Sequence, residues 1–174
     1  MSVQDPLETI QDMRNALEQL AMKIPGFAGY KERETRREAD KLLRVTIAQR
    51  IMEQVQRLSD VQRELLRRGG LHWLDDVEAA VRRLQTLADL IRTASYGYAG
   101  VFDAVKIEEP QLARLYAYDQ KLLAAVDDLA TAVERVRSAV GSEAFGPALA
   151  DLMRLAREAL NTFHQREETL LAAA

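Results

Sequence analysis

Apolar residues recur along most of this chain at alternating three- and four-residue spacings, the period that lines up one face of an α-helix. The longest stripe is Leu112, Leu115, Asp119, Leu122, Val126, Leu129, Val133, Val136 and Val140, in which Asp119 is the single polar member. Ile10, Met13, Leu17, Leu20 and Ile24 form another, as do Val77, Val81, Leu84, Ala88 and Ile91, and Leu149, Leu152, Ala156, Ala159 and Phe163. A further stripe runs Leu43, Ile47, Ile51, Val55, Leu58 and Leu65, but the stretch before it, Lys31–Lys41, offers only Ala39. Nowhere do apolar and polar residues alternate one by one, so no half-buried strand is expected.

Glycine and proline divide the stripes. All eight glycines and three of the four prolines fall in or beside residues 25–29, 69–70, 97–110 and 141–147. The fourth, Pro6, follows Asp5 and precedes Glu8, the order of an N-cap, a proline in the first turn and a capping-box glutamate. Between these windows the chain is rich in Ala, Leu, Arg, Glu and Gln, which lose little side-chain freedom in a helix. The pattern predicts five helices, near 5–24, 30–68, 72–95, 109–140 and 147–172. Their stripes suit an all-α fold, an elongated antiparallel bundle with coiled-coil-like packing and one long helix, the second. At 174 residues the chain fits a single domain, 1–174.

Short connections predict that chain direction alternates from helix to helix. That arrangement gathers Phe27, Tyr30, Tyr96, Tyr98, Phe102, Tyr116 and Tyr118 at one end and sends Trp73 and Phe145 to the other. The charged start of the second helix, rich in Arg33, Arg36 and Arg37, belongs to the aromatic end. Oppositely charged residues three or four apart, such as Arg36 and Asp40, are expected to hold this segment as a solvated helix, each pair contributing about 0.2–0.5 kcal/mol. Asp119 falls about 14 Å below the top of the fourth helix. A buried carboxylate must be paired, hydrated or neutral, so Asp119 is expected to form an ion pair with an arginine of the second helix. The alternative is a ligand-binding carboxylate.

Composition narrows the function classes. Lys and Arg number 24 against 27 Asp and Glu, a net charge of −3, which gives nucleic acid or an anionic membrane no general attraction. No apolar run approaches the ~18 residues of a membrane span, and the charged N-terminal stretch reads as neither signal peptide nor anchor. Mixed charges on the first helix also argue against docking on a lipid surface. Cysteine is absent, which removes disulfides, thiolate metal sites and thiol nucleophiles and fits a cytoplasmic setting. No serine has a local motif with a partner base. His164 and Glu167 share a helix face, but neither histidine follows a glutamate at Glu-x-x-His spacing, so the di-iron pattern of helical bundles fails. His72, beside Gly70, reads as a turn residue, and Arg67-Arg68 before Gly69-Gly70 as a helix C-terminus.

The loop Tyr96–Lys106 is the strongest candidate for a function. It is long for a helix–helix connection, lacks a phosphate-binding glycine pattern, and carries tyrosines suited to an interface. The same rings would also plug the open end of a bundle. Two segments, GYKERETRREADK at 29–41 and YAGVFDAVK at 98–106, together resemble a family of uncharacterised bacterial all-helical proteins with no assigned activity. The sequence therefore implies a non-enzymatic interaction module that needs no cofactor. It would bind a protein partner through Tyr30, Arg33, Arg36, Arg37, Tyr96, Tyr98, Phe102 and Asp103, and self-association is open to it. The alternative is a metal or small-ligand site near Asp119, His164 and Glu167.

Overall fold

The computed structural model describes residues 6–30, 36–94 and 109–172. They form five α-helices: α1 (Pro6–Lys23), α2 (Arg36–Arg68), α3 (Leu74–Thr93), α4 (Glu109–Ser138) and α5 (Phe145–Leu171). A 3-10 turn, Leu71–Trp73, leads into α3, and no strand occurs among the described residues. The all-α class expected from the stripes is therefore observed. No described helix is long and apolar enough to cross a membrane.

Each helix starts and stops for local reasons. The 33 residues of α2 contain no glycine or proline, and at about 1.5 Å per residue they span roughly 50 Å. Gly69 ends the helix with φ of +81°, and the Gly70 N–H bonds back to the Leu65 carbonyl at 2.9 Å. That six-to-one bond is the Schellman stop, which a β-carbon at the left-handed position would strain. Asp75 and Asp76 occupy the first turn of α3, and Arg67 and Arg68 the last of α2, each sign favourable to its helix end.

α2 packs mainly on α3 and α4 on α5, while α2–α4 and α3–α5 contacts close a four-helix ring. Leu43, Ile47, Ile51, Val55 and Leu58 of α2 meet Leu84, Leu87 and Ile91 of α3, Val126, Leu129 and Val133 of α4, and Leu152, Ala156 and Phe163 of α5 in one buried core. Gln62 of α2 bonds Glu78 of α3, and Arg44 bonds the carbonyls of Ile91 and Arg92, so these two helices run in opposite senses. Arg166 pairs with Asp119 and Arg135 with Asp151, so α4 and α5 do the same.

The first helix departs from the alternation expected of it. α1 packs on the outside of α4, with Gln19 against Gln120 and Lys23 against Asp127, both at 2.8 Å. The shared order of those contacts makes α1 and α4 run the same way, not oppositely. The reason lies in the linker. Lys23 sits beside Arg50, whose guanidinium donates to the Lys23 carbonyl at 2.7 Å, well below the start of α2. After a turn at Gly26 the chain returns to Tyr30 at the level of Asp119. At about 3.3 Å per extended residue, a linker of this length covers the return. It is a strap, not a hairpin.

Candidate functional site: a buried ionic layer

The strap delivers Tyr30 into the bundle where α2 and α4 begin and α3 and α5 end. Gly29, with φ of +84°, makes the delivery possible, because a β-carbon there would meet the Tyr116 hydroxyl at 2.6 Å and Leu17 at 2.8 Å. The Tyr30 N–H donates to the Tyr116 hydroxyl at 2.8 Å, and the two rings lie 5.2 Å apart. Phe27 packs edge-on against Tyr30 at 5.5 Å. Arg36 Nε donates to the Tyr30 carbonyl at 2.6 Å, tying the strap to the first turn of α2.

Beneath the strap lies a layer of buried charge. Arg166 of α5 is 0% exposed. Its Nε donates to Asp119 Oδ1 at 2.5 Å and its Nη2 to Asp40 Oδ1 at 2.7 Å. Tyr30 Oη donates to Asp119 Oδ2 at 2.6 Å and accepts from Arg166 Nη2 at 3.3 Å. Arg44 Nε donates to Asp40 Oδ2 at 2.7 Å. The second guanidinium nitrogen of Arg44 reaches the last-turn carbonyls of α3, Arg92 at 2.8 Å and Ile91 at 3.4 Å, where a cation also suits the helix dipole. Two carboxylates face two guanidiniums, so the layer is neutral and joins α2, α3, α4, α5 and the strap.

All four carboxylate oxygens accept a hydrogen bond from within the layer. Burial pushes the Asp119 carboxyl above its ordinary value, opposed by the Arg166 charge and by the donors Arg166 and Tyr30. Burial and the Asp119 charge hold the Tyr30 phenol well above its usual value, so Tyr30 stays a neutral donor. For Arg166, burial works downward, but the Asp119 and Asp40 carboxylates override it and the guanidinium is raised well above normal. Arg166 Nη1 is buried with no partner, as is Gln54 Oε1 deeper in α2.

These positions correct several expectations. Tyr30, proposed as a docking residue, is 0% exposed, and Arg36 only 8%; both serve the interior. Phe27 and Tyr116 are likewise core. Arg37 lies on the surface at the start of α2. Arg33, Tyr96, Tyr98, Phe102 and Asp103 fall outside the described residues. Asp119 is paired, but its cation is Arg166 of α5 and not an arginine of α2. Asp40, expected on a solvated face with Arg36, is buried between Arg44 and Arg166. The metal layer is not assembled either. His164 and Glu167 contact each other at 3.2 Å on the outside of α5, whereas Asp119 is sealed within. No group of three metal-ligating side chains occurs among the described residues.

Asp40, Arg44 and Arg166 were missed, although the signal existed. The α5 stripe 149, 152, 156, 159, 163 alternates three and four, and its next members are Arg166 and Leu170, both buried. Glu167 follows Phe163 by four, which repeats a step and leaves the face. Extending the α2 stripe backwards from Leu43 and Ile47 likewise lands on Asp40 and Arg36.

Fold and site together define an all-helical bundle closed at one pole by a strap and a neutral ionic layer. Comparison with protein-family models, curated proteins and solved structures finds no match to the chain.

Proposed function

We propose that this protein is a non-enzymatic helical interaction module, cytoplasmic, that binds a protein partner at the pole above the ionic layer. The frame in this reading is an elongated bundle whose apolar stripes pack like coiled-coil seams. One observation carries it. The acids and bases best placed for chemistry engage one another inside the bundle, and both carboxylates have every oxygen occupied by an internal donor. A group held that way positions helices, and with Asp119 0% and Asp40 2% exposed neither acid is open to a substrate.

Such a layer makes a stiff platform of the pole, which favours binding because little order has to be imposed on the platform when a partner docks. Arg37 stands on its surface, and the resemblance to helical bacterial proteins covers the two segments, 29–41 and 98–106, that flank it in this reading. Tyr98 and Phe102 supply the aromatic anchors. Affinity capture from the native host tests the proposal, with Tyr98→Ala/Phe102→Ala as the comparison bait. The expected result is loss of a captured partner with an unchanged circular-dichroism melt. If the double variant unfolds the bundle, the rings belong to the core and the reading fails.

A further inference from the structure

On the flank of the bundle, α3 and α5 leave a groove of about 470 Å³ between them. Its walls carry Arg82 and Arg83 from α3 and Arg157 from α5, and no carboxylate lines it. All three arginines are exposed. Among the described residues none of them forms an ion pair, although most exposed arginines elsewhere on this surface do. The nearest acids in sequence are already engaged, Glu78 by Gln62 at 2.8 Å, Asp89 by Arg92 at 2.6 Å and Glu158 by Arg154 at 2.6 Å. The floor is apolar. Leu87 is buried and Leu160 half-buried, while Leu90 is 40% exposed, one of the larger exposed apolar side chains.

We propose that this groove docks an amphipathic α-helix of a partner protein, with its apolar stripe on Leu87, Leu90 and Leu160 and its carboxylates toward the three arginines. Charge complementarity selects the occupant. Guanidiniums left unpaired on a protein of net charge −3 mark a place where negative charge is expected from outside. The cations come from both walls with an apolar strip between them, which suits a helix presenting residues at i, i+3, i+4 and i+7 flanked by Glu or Asp. A nucleic acid offers no such apolar stripe, and three phosphate contacts on an acidic protein give weak binding at physiological salt. The inference shares with the proposed function only the premise of a protein partner. It uses a different face, so Tyr98→Ala/Phe102→Ala and the groove variants below separate the two.

The test uses fluorescence anisotropy with the full chain and a panel of labelled synthetic helices bearing a leucine stripe flanked by glutamates. Controls are the same helices with lysine for glutamate, an acidic scramble without the stripe, and a single-stranded oligonucleotide. The glutamate helices should bind, weakening as salt rises. Arg83→Glu/Arg157→Glu should reduce affinity by about 10-fold or more, and Leu90→Asp by a similar factor. The lysine helices, inert toward the natural chain, should bind the charge-reversed variant. Arg83→Gln/Arg157→Gln provides a milder loss should the reversal alter the melt. The proposal is overturned if no glutamate helix binds, if the scramble binds equally, or if the oligonucleotide binds more tightly. It is also overturned if sedimentation shows a dimer that Arg83→Glu/Arg157→Glu dissociates, since a second copy would then fill the groove.

Discussion

The two ends of the bundle are held by different physics. At the strap end, Arg166, Asp119, Asp40, Arg44 and Tyr30 join through directional bonds of 2.5–2.7 Å between buried charged or polar groups. At the other, the Trp73 ring meets Phe145 at 5.3 Å, tilted by 60°, in the same apolar core as Leu65, Leu149 and Leu152. Packing there is close enough that a β-carbon on Gly146 would meet the Trp73 ring at 2.8 Å. The apolar end supplies stabilisation that depends on area and fill and tolerates rearrangement of volume. The ionic end gains little net energy, because desolvation offsets most of the attraction, but it is correct in only one alignment of the helices. The difference suggests a division of labour, in which one end drives association and the other fixes how far each helix slides.

Removing the shared cation of the ionic layer should have the largest effect. Arg166→Met leaves Asp40 and Asp119 buried without their shared cation and is expected to cost about 3–5 kcal/mol in urea unfolding. The triple variant Tyr30→Phe/Asp119→Leu/Arg166→Met keeps the neutral Asp40–Arg44 pair and replaces the rest with apolar groups. It should recover most of that loss while its side-chain NMR signals broaden, the sign of a bundle that is stable but less uniquely aligned. Full recovery with sharp signals would refute the specificity role. At the apolar end, Leu152→Ala is expected to cost about 2–4 kcal/mol by opening a cavity, and no charge substitution should rescue it. Tyr30→Phe is smaller, about 1–3 kcal/mol, since Asp119 Oδ2 loses its donor without losing its cation. Thermal melts rank the three single variants directly.

What was readable in the sequence follows the same division. The apolar end declared itself: stripes at alternating spacing gave all five helices, and Trp73 and Phe145 meet as their opposite-end placement implied. The ionic end was half readable. Asp119 stood out as a polar residue inside an apolar stripe, so its burial and its need for a partner were legible. Its partner was not, because Arg166 sits in a charged run, His164–Glu168, that reads as a solvated helix end unless the spacing is followed strictly. Arg36, Asp40 and Arg44 were obscured in the same way by the surface pairs that their neighbours could form. The strap was illegible for another reason. A proline–glycine window marks where a helix stops but says nothing about whether the chain turns directly or runs back, and only the fit of Gly29 under Tyr116 decides that.

The smallest predicted effect concerns pH and separates the ends most cleanly. Burial raises the folded-state pKa of Asp119 above the ordinary carboxylate value that it has when unfolded. In the window between the two values the folded state therefore binds more proton than the unfolded state, and stability from this group falls as pH rises through it. A single proton limits the slope to about 1.4 kcal/mol per pH unit. The measurement is urea unfolding between pH 3 and 7 for the natural chain and for Asp119→Asn, with the other titrating groups common to both. The difference in stability, natural minus variant, should shrink as pH rises and then level off. Leu152→Ala, at the uncharged end, should displace the whole profile by a constant. A difference that instead grows with pH would mean that pairing with Arg166 outweighs burial, placing the Asp119 carboxyl below the ordinary range.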